Sequence, residues 1–135
     1  MNYPNIKSIL IVDDDRDDIY FFSKALEEFK RNIELVTAGN GLEAFEKLLN
    51  FTPDVILLDL NMPVMNGVAF LKSIKRIKHL KEIPVIIYTC ELSIFDKEEL
   101  KKLGAYAVYK KPDDFDRTIK TIAEILRMNF IRMSA

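Results

Sequence analysis

At 135 residues, with 49% hydrophobic and 30% charged side chains, the chain fits one domain around one core. Twenty basic against twenty-one acidic residues leave a net charge of -1, which gives no case for general nucleic-acid or membrane affinity. One cysteine, Cys90, and one histidine, His79, exclude an internal disulfide, a Cys-based zinc site and a His-rich metal site.

The opening residues Met1-Asn2-Tyr3-Pro4-Asn5 hold no apolar stretch of signal-peptide length. No window approaches the ~18 apolar residues of a membrane span, so the expectation is a cytoplasmic protein. Strand-like runs then alternate with helical patterns. Residues 8–12 read as a first strand. Over about 17–30, Ile19, Phe22, Leu26 and Phe29 fall at helical spacing, with Asp15, Asp17 and Asp18 near the start, where carboxylates cap free N–H groups.

Residues 33–38 read as a second strand. Asn40 caps a helix carrying Leu42, Phe45, Leu48 and Leu49. Pro53 precedes a third strand over 54–58. After Asp59 a loop with Pro63 and Asn66-Gly67 leads to a helix with Val68, Leu71, Ile74 and Ile77. Pro84 opens a fourth strand over 84–88. A short helix around 94–103 ends at Gly104, a C′ glycine by its position. A fifth strand over about 105–109 leads to Lys111-Pro112. Asp113 or Asp114 caps the last helix, which turns Phe115, Ile119, Ile122, Ile125 and Leu126 inward.

Five strand–helix units imply a parallel sheet covered on both faces, and right-handed crossovers leave few topologies. No repeat, low-complexity segment or linker interrupts them. The expectation is a single domain over 1–135 with no output domain.

The polar residues that end the apolar runs carry the chemistry. They are Asp13 and Asp14, Asp59, Thr89 and Lys111. Parallel strands would bring them to one edge, where sites form in open α/β sheets. Asp59 is the candidate nucleophile, since a carboxylate can attack phosphorus to give an acyl phosphate. Crowded carboxylates suit a hard cation, and Mg²⁺ takes one or two of them and keeps several waters. Asp14, Asp59 and a backbone carbonyl near Asn61 would leave room for those waters. Lys111 would act as a point charge on phosphoryl oxygens and Thr89 as a hydrogen-bond donor.

Plainer readings exist for each residue alone. Capping accounts for Asp15, Asp17 and Asp18. Asp59 could be a turn residue, and Lys111 a solvated lysine. The coincidence at four strand ends weighs against them. A calcium loop from Asp13 fails at its sixth position, which holds Asp18 in place of Gly, and at its twelfth, which holds Lys24 in place of Glu. No Gly-rich phosphate loop is present. Phe21 or Phe22 is most simply core.

The motifs Ile11-Val12-Asp13-Asp14, Leu58-Asp59-Leu60-Asn61-Met62-Pro63-x-Met65-Asn66-Gly67, Tyr88-Thr89 and Lys111-Pro112 resemble a response-regulator receiver domain over about residues 7–128. The resemblance implies a flavodoxin-like, doubly wound five-stranded parallel sheet in order 2-1-3-4-5, flanked by five helices. It implies that Asp59 takes a phosphoryl group from a histidine kinase or phosphotransfer protein. Asp14, Asp59 and the Asn61 carbonyl would ligate Mg²⁺ directly, with Asp13 acting through water. Thr89 would move toward the phosphoryl oxygen and repack a surface for a downstream protein. The receiver would catalyse both gain and hydrolysis of the phosphate, tuned by Asn61 and Glu91. Receivers often pair through the switch face, so a homodimer fits as well. Two departures stand out. The switch aromatic position holds Val108, with Tyr109 on the other strand face and Tyr106 on the same one. Cys90 stands where a small residue is usual, and is expected to be packed and inert.

Two rival functions remain at this point. One is a haloacid-dehalogenase-like phosphohydrolase with Asp13 as nucleophile in Asp13-x-Asp15, though neither its late acidic pair nor a cap domain is evident. The other is a phosphorylation-independent interaction module.

Overall fold

Continuous apolar runs form strands here because both of their faces are covered. The computed structural model describes residues 6–92, 96–128 and 130. Its elements alternate as β1 (Ser8–Val12), α1 (Arg16–Glu27), β2 (Glu34–Ala38), α2 (Gly41–Leu48) and β3 (Val55–Leu58). They continue as α3 (Gly67–Ile74), β4 (Val85–Thr89), α4 (Lys97–Lys102), β5 (Ala107–Lys110) and α5 (Phe115–Leu126). The strands pair in parallel in the order β2-β1-β3-β4-β5. β3 and β4 are buried at every residue, whereas the edge strands β2 and β5 are half open to solvent.

Side chains alternate between two core layers at the period of a strand. Leu10, Val12, Ile56, Leu58, Ile87 and Val108 face the α2–α3–α4 side, with Phe70, Leu71 and Leu100. Ile9, Ile11, Leu57, Ile86 and Tyr88 face the α1–α5 side, with Phe22, Leu26, Ile122 and Ile125. Each helix begins on an Asp or Asn whose side chain accepts a backbone N–H: Asp15, Asn40, Asn66, Asp96 and Asp114.

The architecture is the one the sequence implies, and several boundaries and faces differ. α1 stops at Glu27, and Lys30 then takes a left-handed conformation at φ 51° that turns the chain toward β2. The helix expected over 94–103 is described from Lys97 to Lys102, and residues 93–95 lie outside the described set. Gly104 does follow it as a C′ residue, at φ 115°, donating to the Lys101 carbonyl.

α2 buries Gly41, Ala44 and Leu48. Leu42 and Leu49, read as part of the helix's apolar pattern, are 50% and 79% exposed. The helix turns its small residues inward, and Met65 lies so close to Gly41 that an added Cβ would come within 2.7 Å of its sulfur. Phe22 is core as expected. Phe21 is exposed and lies edge-on to Phe115 at 5.6 Å. Cys90, expected packed, is exposed, because it follows the last residue of β4 at the sheet edge.

Candidate functional site

The order of the strands reverses between β1 and β3, and the crevice of a doubly wound sheet lies at that point. Asp13 follows β1 and Asp59 follows β3. The backbone extends the ladders past both: Asp13 N–H donates to Ala38 at 2.9 Å, and Asp59 N–H donates to Val12 at 3.0 Å. On the other side, Lys111 N–H donates to the Thr89 carbonyl at 2.8 Å. The five residues that end the apolar runs therefore share one edge.

Their side chains meet. Thr89 Oγ1 donates to Asp59 Oδ1 at 2.6 Å. The Asn61 N–H donates to the same oxygen at 3.3 Å. Lys111 Nζ donates to Asp13 Oδ2 at 2.6 Å and stands 3.7 Å from Asp59 Oδ2. Asp13, Asp14 and Asp59 each present a carboxylate oxygen within 4.8 Å of the others. Asp13, Asp59, Thr89 and Lys111 are buried, whereas Asp14 and Asn61 are open to water.

A loop pinned to α3 fixes Asp59. The Gly67 N–H donates to the Leu60 carbonyl at 3.1 Å, and a Cβ on Gly67 would lie 2.3 Å from the Asp59 carbonyl oxygen. Only glycine permits this approach. Within the loop, Val64 holds φ 69°, a strained left-handed conformation for a β-branched residue.

Burial raises the Asp13 carboxyl from 3.8 to about 6, against the Lys111 and Asp15 hydrogen bonds that favour its charge. Burial also works against charge on Lys111. Its hydrogen bonds to Asp13 and Asp18, and the charges of Asp13 and Asp59, outweigh that cost and raise its proton affinity. Tyr88, beside Phe22 in the α1–α5 layer, is pushed up to about 12 by burial.

These oxygen donors fit a hard divalent cation. The Asp13 oxygens already serve Lys111 and the Asp15 N–H, at 2.6 and 2.9 Å, so both of them are engaged. The same engagement makes Asp13 a poor nucleophile.

One member of the site was missed from the sequence. Asp18 Oδ2 accepts from Lys111 Nζ at 2.7 Å. Capping does not explain this residue, because Asp15 alone performs it, accepting from the N–H groups of Asp17 and Asp18. The signal was present in the spacing. Asp18 lies four residues before Phe22 and eight before Leu26, on the inward stripe of α1. A carboxylate on such a stripe requires a cation or a proton.

Known proteins share this frame. The pattern of the response regulator receiver domain matches residues 9–123. The polar-differentiation response regulator DivK of Brucella anthropi is 32% identical over 120 residues, which cover 89% of this chain and 96% of DivK. The Mn²⁺-bound form of response regulator Rcp1 superposes with a TM-score of 0.80 at 26% identity, covering 96% of this chain and 99% of Rcp1. The phosphorylated cyanobacterial phytochrome response regulator RcpA follows with 0.78 at 27%, covering 90% and 91%. A pattern that spans most of the chain, and a relative this similar over nearly all of its own length, fix the assignment: the chain belongs to the response regulator receiver domain family of two-component signal transduction.

Proposed function

We propose that this receiver accepts a phosphoryl group on Asp59, with Mg²⁺, from a phosphohistidine on a histidine kinase or phosphotransfer protein. The new charge then alters its surface for a downstream protein. The observation that carries the reading is the convergence of Asp13, Asp14, Asp59, Thr89 and Lys111 at one strand-end crevice.

In the transfer, a carboxylate oxygen of Asp59 forms a bond to phosphorus as the P–N bond to the donor imidazole breaks. The bonding pair stays on the imidazole nitrogen, which then takes a proton. Asp14, Asp59 and the Asn61 carbonyl are the groups to hold Mg²⁺ directly, with Asp13 acting through water. The bound cation would neutralise charge on the transferring oxygens. Lys111 supplies a second positive charge at the Asp59 Oδ2 side. Burial of Asp59 and Thr89 limits competing water. Asn61 and Glu91 are both exposed, where they can influence the water that hydrolyses the acyl phosphate.

Thr89 is the moving part of this reading. Its hydroxyl already reaches Asp59 at 2.6 Å, so the phosphoryl group would replace a bond to the carboxylate. Val108 is buried in the same core layer as Ile87 and Leu100. Tyr109 points to the other layer, with its hydroxyl 3.2 Å from Glu124. Tyr106 is exposed and meets Phe130 edge-on at 4.8 Å. The readout therefore does not rest on an aromatic ring rotating at position 108.

Membership in the receiver family and the engaged state of Asp13 weigh against the dehalogenase-like alternative. No helix among the described residues is long and apolar enough to cross a membrane. Intact-mass measurement after incubation with acetyl phosphate tests the proposal. The protein should gain one phosphoryl group with Mg²⁺ and none with a chelator. Asp59→Asn should stay folded and unlabelled. Labelling that persists in this variant would move the acceptor elsewhere. A folded wild-type protein that never labels with this donor or a histidine phosphodonor would favour the phosphorylation-independent interaction module.

A further inference from the structure

Lys111 serves a carboxylate that phosphoryl transfer does not require. Its ammonium has three donors. One goes to Asp13 at 2.6 Å and one to Asp18 at 2.7 Å. Asp59 Oδ2, at 3.7 Å, lies beyond hydrogen-bond reach. The cation is drawn toward α1 and away from the acceptor it would have to serve.

We propose that Asp18 is a positioning residue that holds Lys111 off Asp59 and competes with the phosphoryl group for it. The inference rests on Asp59 being the phosphoacceptor. Three observations support it. Asp18 is held on the inward stripe of α1 by the burial of Phe22 four residues on, so its contact with Lys111 follows from how the helix packs. It has no capping duty, which Asp15 fulfils. Its side chain is 35% exposed against 1% for Asp13, so of the two partners only Asp18 can exchange the lysine for water at low cost.

A phosphoryl group adds close to two negative charges beside Lys111. Lys111 can reach its oxygens most readily by releasing Asp18. The pair therefore lowers affinity for a bound phosphoryl group and shortens the life of the acyl phosphate. Removing the Asp18 charge should leave Lys111 freer to turn to the acceptor.

Beryllofluoride, a non-covalent analogue of an aspartyl phosphate, is the probe, titrated into the full chain with saturating Mg²⁺ and followed by ¹⁹F NMR. Asp18→Asn should tighten beryllofluoride binding about tenfold, the size of one charge-assisted hydrogen bond. Asp18→Glu should restore binding close to wild type. Asp17→Asn removes the same charge from the neighbouring exposed position and should change affinity far less. The Lys111 ε-methylene resonances should shift on beryllofluoride addition in the wild type, and should start displaced toward the bound position in Asp18→Asn. An Asp18→Asn affinity that is unchanged or weaker overturns the inference, as does an equal effect from Asp17→Asn. Failure of the wild type itself to bind beryllofluoride would instead sink the phosphoacceptor reading, and this inference with it.

Discussion

The side chains that meet in the crevice differ in how visible they are from the sequence. Asp59, Asp13, Thr89 and Lys111 were legible because each ends an apolar run, and parallel pairing brings such ends together whatever the helices do. Asp18 was hidden because its role depends on the rotation of α1, which Phe22 and Leu26 set. The exposure of Cys90 was hidden too, since one residue past a buried strand the chain can already reach water. A prediction at this scale separates the lysine from the carboxylates. Lys111→Met keeps the aliphatic stem and deletes the charge, so the crevice loses its cation and retains its oxygen donors. Mg²⁺ affinity measured by calorimetry should hold or rise, since a competing positive charge is gone. Beryllofluoride affinity should fall by about tenfold or more, because a charge-assisted contact is lost. Equal losses of both would mean that the lysine only holds the crevice together. Calorimetry suits the chain, which has no tryptophan to report binding.

The strands were easier to read than the helix faces. β1, β3 and β4 are built mostly of buried branched aliphatics, and their bounds fall within one residue of those inferred. In α2, Leu48 is buried and Phe45 packs against the core, but Gly41 and Ala44 complete the face, and small residues leave no mark in an apolar pattern. The same kind of contact controls the loop between Asp59 and the start of α3. Asn66 caps that helix, accepting from the Ala69 N–H at 2.9 Å. Gly67 brings it against the backbone of Asp59. Asn66→Ala should cost about 1 kcal/mol in denaturant unfolding, the usual loss for a cap. It should leave acetyl phosphate labelling in place. Gly67→Ala should cost more, about 2–3 kcal/mol, since backbone must shift to admit the methyl group. It should also slow labelling, because the atom in the way is the carbonyl oxygen of Asp59 itself. Normal labelling in folded Gly67→Ala would mean that the close approach is a packing detail without effect on the acceptor.

At the scale of the whole molecule, the fold stores a conflict at the carboxyl edge that a bound cation would resolve. Folding buries Asp13 and raises its carboxyl from 3.8 to about 6. Between those values the unfolded chain has released a proton that the folded chain still holds. Stability from this group is therefore greatest at the acid end, falls as pH rises through the window, and is flat above about 6. Lys111 adds no slope there, because its raised proton affinity yields stability that is lost only above the ordinary lysine value of 10.5. Asp13→Asn carries no titrating group at this position. In a chelator, the melting temperature of the wild type minus that of Asp13→Asn should decline from pH 4 to pH 6 and then level. A Mg²⁺ ion that bound the folded state alone, at a hundredfold excess over its Kd, would contribute about 2.7 kcal/mol. It favours ionised carboxylates, so it should bind better as protons leave. With Mg²⁺ the same difference should climb over that pH range. Opposite slopes with and without the cation are the expected result, and equal slopes would mean that Asp13 takes no part in holding the metal. The receiver would then owe its cation affinity to Asp14 and Asp59 alone, and the cost of burying Asp13 would fall on the pair it makes with Lys111.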